Sequence, residues 1–431
     1  MSDKSISTAP AVQTGNWYEP DAKLKRRYAS DRRLRFYGVT AIVFALGMLA
    51  ALVGTIAVTA LPAITQTMVT LDVELPADKI DPADPRSAGY LKLFSDAVAR
   101  LFPEVDTPKE TRELRQLFTS SAQYQLRDMV VADPSLIGKT VAFTFPLSDI
   151  GDQLHKGAID RNLPSDQRRV SDIQIGWYDR LVEQDRITAP FNWGMIFNAD
   201  SRFPEQAGLW GALVGSFYAL LICFLVSFPV GISAAVYLEE FAPKNRWTDI
   251  IEVNINNLAA VPSIVFGLLG LAVFLNFFGM PRSAPIVGGL VLSLMTLPTI
   301  IIATRAALKA VPPSIREAAI GVGASKMQTV GHHVLPLAMP GILTGTIIGL
   351  AQALGETAPL LLIGMNAFIT AAPESMFNPS TALPTQIYIW ADSPERGFTS
   401  RTSAAIIVLL GFLVCMNAIA IYMRKRFERK W

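Results

Sequence analysis

The feature that most limits this chain is a set of long apolar runs, at about 37–64, 209–237, 259–279, 285–304, 341–364 and 403–423. Each is at least about 18 residues long, enough for a helix to cross roughly 30 Å of hydrocarbon. Inside hydrocarbon, backbone N–H and C=O groups must be satisfied within the segment, so runs of this length read as helices. Charged residues make up 17% of the chain, against about 25% in soluble domains. That total alone would permit a large soluble core; the clustering decides. The expectation is an all-α membrane protein with about six transmembrane helices.

The placement of charge sets the expected topology. Lys23, Lys25, Arg26, Arg27, Arg32, Arg33 and Arg35 precede the first run, and Arg424, Lys425, Arg426, Arg429 and Lys430 follow the last. Basic residues abutting a span favour the cytoplasmic side, so both termini are expected there, and these clusters are read as topology signals rather than nucleic-acid sites. The expected division is a disordered basic tail over 1–35, a first membrane helix over 36–64, a periplasmic insertion over 65–205, a membrane domain over 206–425 and a cytoplasmic tail over 426–431. The first run is too long and too far from the start for a signal peptide, and is read as a retained anchor. Loops near 239–257 and 306–340 fall in the cytoplasm, and 371–402 lies outside. Cys223 and Cys415 both sit inside apolar runs and are expected as buried packing residues.

Residues 65–205 carry soluble-domain signals. Thr107, Pro108 and Glu110 place an N-cap, a helix-starting proline and a capping-box acid before TRELRQLFTSSAQYQL, a predicted helix. Lys139–Leu147 alternates with β-branched residues and predicts a strand. A small α+β extracytoplasmic insertion after the first helix is expected, with His155 alone in it and a structural or docking role.

The loop at 306–340 has an unusual order. Pro312 and Pro313 interrupt the helix leaving the membrane, Ser314 and Glu317 offer a capping box, and Gly321 and Gly323 end a short helix. The product is a rigid surface helix presented to the cytoplasm. No G-x-x-x-x-G-K-[ST] phosphate loop occurs, so this chain is not expected to hydrolyse ATP itself. His332 and His333, adjacent and without thiol or carboxylate companions, are not read as a metal site. The run after this loop places Gly341, Gly345, Gly349 and Ala353 at four-residue spacing, a flat stripe for close helix packing. Glu356 and Thr357 follow. An ionisable group within a span costs about 2.5–3.5 kcal/mol on insertion scales and faces a bundle interior or watery path. Pro359 is expected to kink the helix beside it.

Glu317, Ala318, Ala319, Gly323, Leu335 and Pro336 match the E-A-A…G…I-x-L-P loop, with His333 in place of the isoleucine. In this the chain resembles the membrane subunits of bacterial ABC importers. ALGETAPLLLIG, LEEFAPKNRWTDIIEVNINNLAAVPSIVFGLLGLAVF and ALPTQIYIWADSPERGF further resemble the PstA-type permeases of phosphate-specific importers, over about 205–425. The resemblance implies the ABC importer permease fold, phosphate translocation by alternating access, and no catalytic site or cofactor on this chain. It implies a second homologous permease, two ATPase subunits that use ATP and magnesium, and a periplasmic phosphate-binding protein. Glu317, Ala318, Ala319, Gly323, Leu335 and Pro336 would serve ATPase coupling. Where that family often carries arginine, this chain has Gln352, so Arg305 or the partner permease is the expected source of positive charge in a path containing Glu356 and Thr357. The alternatives are another oxyanion (sulfate, molybdate or a phosphonate) and, less well supported by the loop, a stand-alone secondary carrier or a membrane-bound sensor.

Overall fold

A computed structural model describes residues 22–427. The expected tail residues 1–21 and 428–431 lie outside the described residues. The chain divides into two compact units at Val58–Thr59. The first unit is helical from Ala22, within helix α1 (Ala22–Ile64). Residues 22–35, expected as disordered tail, are therefore helix: AKLKRRYASDRRLR holds no glycine or proline to end it.

The second unit begins with the insertion. Strands β1 (Met68–Glu74), β2 (Thr140–Pro146) and β3 (Ile187–Thr188) form an antiparallel sheet in the order β2-β1-β3. In its register Val69 faces Phe145 and Leu71 faces Phe143. Helices α2 (Tyr90–Leu101), α3 (Pro108–Arg115), α4 (Ala122–Ala132), α5 (Asp149–His155) and α6 (Asp172–Glu183) surround it. Alternate strand residues Val69, Leu71, Val73, Phe143 and Phe145 point into one core with Phe94, Leu126 and Trp177, as period-two alternation requires. Thr107 caps α3, its Oγ1 accepting from the Glu110 N–H at 3.2 Å and donating to Glu110 Oε2 at 2.8 Å. The single helix expected after it is two helices. The chain leaves helical geometry at 116–121, where Phe118 bridges to Leu147 and the Ser148 N–H donates to Leu117 O at 3.1 Å.

A short helix α7 (Gly194–Phe197) leads to α8 (Trp210–Val236). Then come α9 (Arg246–Ala259), α10 (Ser263–Gly270), α11 (Pro285–Lys309), α12 (Pro313–Gly321), α13 (Lys326–Gln328), α14 (Leu335–Gly355), α15 (Ala358–Leu362), α16 (Leu383–Ala391) and α17 (Gly397–Phe427). Among the described residues five helices are long and apolar enough to cross a membrane, and a sixth crossing requires α9 and the 263–277 segment to count as one span despite a 101° bend. The run at 259–279 is thus not one straight helix. Pro262 supplies no N–H and its ring opposes a continuous turn, so the chain breaks at 260–262 and restarts at Ser263. Helix α11 lies centrally, sharing a buried core with Cys223 of α8, Leu354 of α14 and Leu360 of α15. Cys223 is buried; Cys415, expected to be buried as well, is exposed.

Candidate functional site: the coupling loop and the break after α14

The loop between α11 and α14 folds into a capped, braced helix. Pro312 and Pro313 open α12 without any side-chain cap, so Ser314, expected at the N-cap, is the second residue of the helix and makes no capping box. The other end is fully closed. The Ala324 N–H donates to Ala319 O at 3.0 Å and the Gly323 N–H to Ile320 O at 2.9 Å. Gly323 has φ of +90°, the left-handed conformation this paired bond pattern requires. Ser325 then makes the capping box that Ser314 does not, with Gln328.

Of the residues singled out in this loop, Glu317 and Ala318 face outward and Ala319 is buried. Beside them Ile320, Val322 and Met327 are 58%, 86% and 71% exposed. The result is a small apolar knob with one carboxylate. Leu335 and Pro336 open α14 after a π-helical segment, Thr329–Val334, with Leu335 half-buried and Pro336 exposed. His332 and His333 are exposed on that segment.

An ion-pair cluster braces the knob to three other elements, and only one member of it was expected to matter. Arg316 Nη2 donates to Glu240 Oε1 at 2.7 Å and to Leu308 O at 2.9 Å, while Nη1 donates to Val311 O at 2.7 Å. Glu240 and Glu239 sit on a π-helical segment, Tyr237–Phe241, that continues α8. Arg305 pairs with Glu239 at 3.3 Å and with Glu252 of α9, and Lys309 pairs with Glu239 at 3.5 Å. Arg305 is thus paired with two carboxylates. Arg316, Glu239, Glu240 and Glu252 were missed. Adjacent acids just beyond an apolar run, with basic residues at 305, 309 and 316, were the available signal.

The glycine stripe of α14 lies against α11. A Cβ on Gly345 would come 2.1 Å from the Ala303 Cβ, and one on Gly341 2.7 Å from the Ala307 Cβ. Gly349 approaches Thr296 and Thr299 less closely, and Ala353 is buried in the shared core. Beyond Gly355 the helix stops instead of kinking. Glu356 is extended (φ −76°, ψ 123°), Thr357 precedes α15, and Pro359 occupies the first turn of that new helix. Pro359 lacks the N–H that would continue α14, and a break also avoids the clash of its ring with Gly355. Glu356 and Thr357 are half-buried and Gln352 is exposed one turn earlier. The break thus leaves polar backbone, a carboxylate and an amide together at one helix end.

Residues 227–430 match the family model described as binding-protein-dependent transport system inner membrane component. Residues 21–165 match a second, described as a domain of unknown function (DUF3333). The chain is 34% identical over 233 residues to a probable ABC transporter permease, YqgI, of Bacillus subtilis, covering 51% of this chain and 77% of that one. It is 31% identical to the phosphate transport system permease PstA of Haemophilus influenzae, covering 52% and 78%. It is 33% identical to PstA 1 of Mycobacterium tuberculosis, covering 51% and 72%. Among solved structures, an inward-facing MetNI methionine ABC transporter aligns at TM-score 0.40 and 19% identity, over 52% of this chain and 95% of that one.

Proposed function

We propose that this chain, which belongs to the family of inner membrane components of binding-protein-dependent transport systems, translocates inorganic phosphate as one half of an ATP-driven importer. It is a multi-pass protein of the bacterial inner membrane and a transport component rather than an enzyme. The observation that carries the proposal is the knob on α12. Ile320, Val322 and Met327 stand exposed beside Glu317, on a helix capped at Gly323 and braced through Arg316. An exposed apolar cluster on a stiff support fits a protein groove, and the segment lies inside residues 227–430, which match the family model.

In this reading two ATPase subunits, which use ATP and magnesium, receive the knobs of this chain and of a second, homologous permease. A periplasmic phosphate-binding protein delivers substrate from the opposite side, and both termini lie in the cytoplasm. Closure of the ATPase pair pushes on α12. The Arg316–Glu240 bond passes that displacement to α8, and the Leu308 and Val311 carbonyls pass it to α11. Glu356, Thr357 and Gln352 line the path at the break after α14, where the interrupted helix presents polar groups to the moving ion. Gln352 is neutral there, and Arg305 carries two carboxylate partners.

The test is uptake of radiolabelled phosphate by proteoliposomes holding the whole assembly, with sulfate and a phosphonate as competitors. Saturable, ATP-dependent phosphate uptake that neither competitor suppresses is expected. Uptake of sulfate or phosphonate in its place overturns the substrate.

A further inference from the structure

On the outer side, at the far end of the 27 residues (about 40 Å) of α8 from the coupling loop, lies a cleft of about 880 Å³. Its walls come from α3, the β2–α5 turn, the segment entering α6, the 202–205 stretch and Glu395 before α17. Four arginines from three separate segments line it: Arg112 and Arg115 of α3, Arg169 and Arg202.

These four differ in one respect from the other arginines of the insertion, Arg86 excepted. Arg100, Arg127, Arg161, Arg168, Arg180 and Arg186 of the insertion each pair with a carboxylate. Among the described residues none of the four cleft arginines forms such a pair. Arg115 donates to Ser95 Oγ at 3.1 Å, and Arg202 lies 5.4 Å over the Phe368 ring. Both contacts leave guanidinium N–H groups free. Arg169 acts on Asp149 only at longer range.

The acids of the cleft do not cancel this charge. Glu205 is 6% exposed and its Oε1 accepts from Thr119 Oγ1 at 2.6 Å. Asp149 Oδ2 accepts from Gln153 at 2.7 Å. Burial raises the pKa of both, which opposes their ionisation. Glu395 is the one acid left at the rim.

We infer that this cleft is an oxyanion-capture site, taking inorganic phosphate from the outer compartment beside the membrane domain. The inference rests on the reading of the chain as an oxyanion importer. Guanidinium forks match the oxygens of a tetrahedral oxyanion better than any other side chain. The Ser120 hydroxyl and Gln116 amide on the same wall add neutral donors. A cleft lined by one sign of charge also raises local ligand concentration and arrival rates, by roughly 10- to 1,000-fold at low ionic strength. The positive charge missing from the helix break is thus found outside the membrane.

The experiment is equilibrium binding of radiolabelled inorganic phosphate to the full-length chain in phosphatidylcholine nanodiscs. The double variant Arg112→Gln/Arg169→Gln is compared with Arg161→Gln, whose arginine pairs with Asp179 outside the cleft. The cleft variant is expected to bind at least tenfold more weakly, the control to bind as wild type, and both to unfold at the wild-type temperature. Arg112→Lys/Arg169→Lys, which keeps the charge, should recover part of the affinity. Equal phosphate binding by wild type and cleft variant overturns the site. So does loss of phosphate binding when phosphatidylglycerol is added, which would assign the arginines to lipid headgroups. Arginine-dependent binding of sulfate without phosphate would keep the capture site while removing phosphate as the cargo.

Discussion

At Glu205 burial and hydrogen bonding pull in opposite directions. Burial is the larger influence and raises the pKa, while the Thr119 hydroxyl favours the carboxylate. A carboxyl whose pKa is higher folded than unfolded stabilises the fold fully only below its unfolded pKa. That contribution is lost as pH rises through the folded value. Glu205→Gln keeps an oxygen to accept from Thr119 and cannot ionise. Thermal unfolding should therefore show the variant gaining on wild type as pH rises from about 4.5. A constant difference across that range would mean that folding leaves the pKa of Glu205 unchanged. Nothing in the sequence near Glu205 marks it, because its burial comes from residues distant in the chain, Thr119 and the start of α17. Gly323 is the opposite case. Its position after a short helical stretch was legible from the chain, and its φ of +90° gives the physical reason. Ser314 misled because a capping sequence competes with whatever fixes the helix start, and there Pro313 started α12 one residue earlier.

Among the elements, periodicity and length located the membrane helices well, since hydrocarbon crossing imposes a minimum run on any sequence. They failed where one residue vetoes continuity. Pro262 splits the run at 259–279, and Pro359 converts an expected kink into the end of α14 at Gly355. In the insertion the strand over 140–146 was legible. The α3–α4 interruption was not, because a bridge to Leu147, far off in sequence, competes for that backbone. Helix α12 depends in the same way on distant partners. Arg316→Ala removes its bonds to Glu240, Leu308 and Val311 and leaves the Glu240 side chain, 10% exposed, without its cation. Hydrogen bonds to charged groups contribute about 1.5–3 kcal/mol each. If even about 1.4 kcal/mol of this positions α12, phosphate moved per ATP hydrolysed should fall roughly tenfold, with the ATPase subunits still co-purifying. An unchanged ratio would show that α12 is held by packing alone.

Over the whole second unit, the insertion and the membrane domain share buried contacts. Asp200 accepts from Trp390 Nε1 at 3.0 Å, and Trp390 is 2% exposed. Arg401 of α17, 5% exposed, donates to Ala207 O at 2.8 Å. Gly397 lets Asp149 of α5 come so close that a Cβ there would lie 2.0 Å from its Oδ1. The insertion is thus part of the packing of α16 and α17. Replacing residues 66–190 by a short Gly/Ser linker would remove Asp149 and Thr119 and uncover Arg401 and Glu205. The apolar faces of α16 and α17 that pack beneath the insertion would be exposed as well, at about 25 cal/mol per Å². Such a chain should unfold at least about 5 °C lower than wild type when purified in detergent. Unfolding at the wild-type temperature would show that the insertion is separable.

The bond from Arg401 to Ala207 joins residues 194 apart in sequence. Synthesis runs from the N-terminus at about 5–20 residues per second, so the ribosome releases residue 401 roughly 10–40 seconds after residue 207. Throughout that interval the underside of the insertion lacks its cation, and Glu205 and Asp149 have no helix start above them. Helix α17 is therefore the keystone: the base of the insertion stays unfinished until that helix has been made.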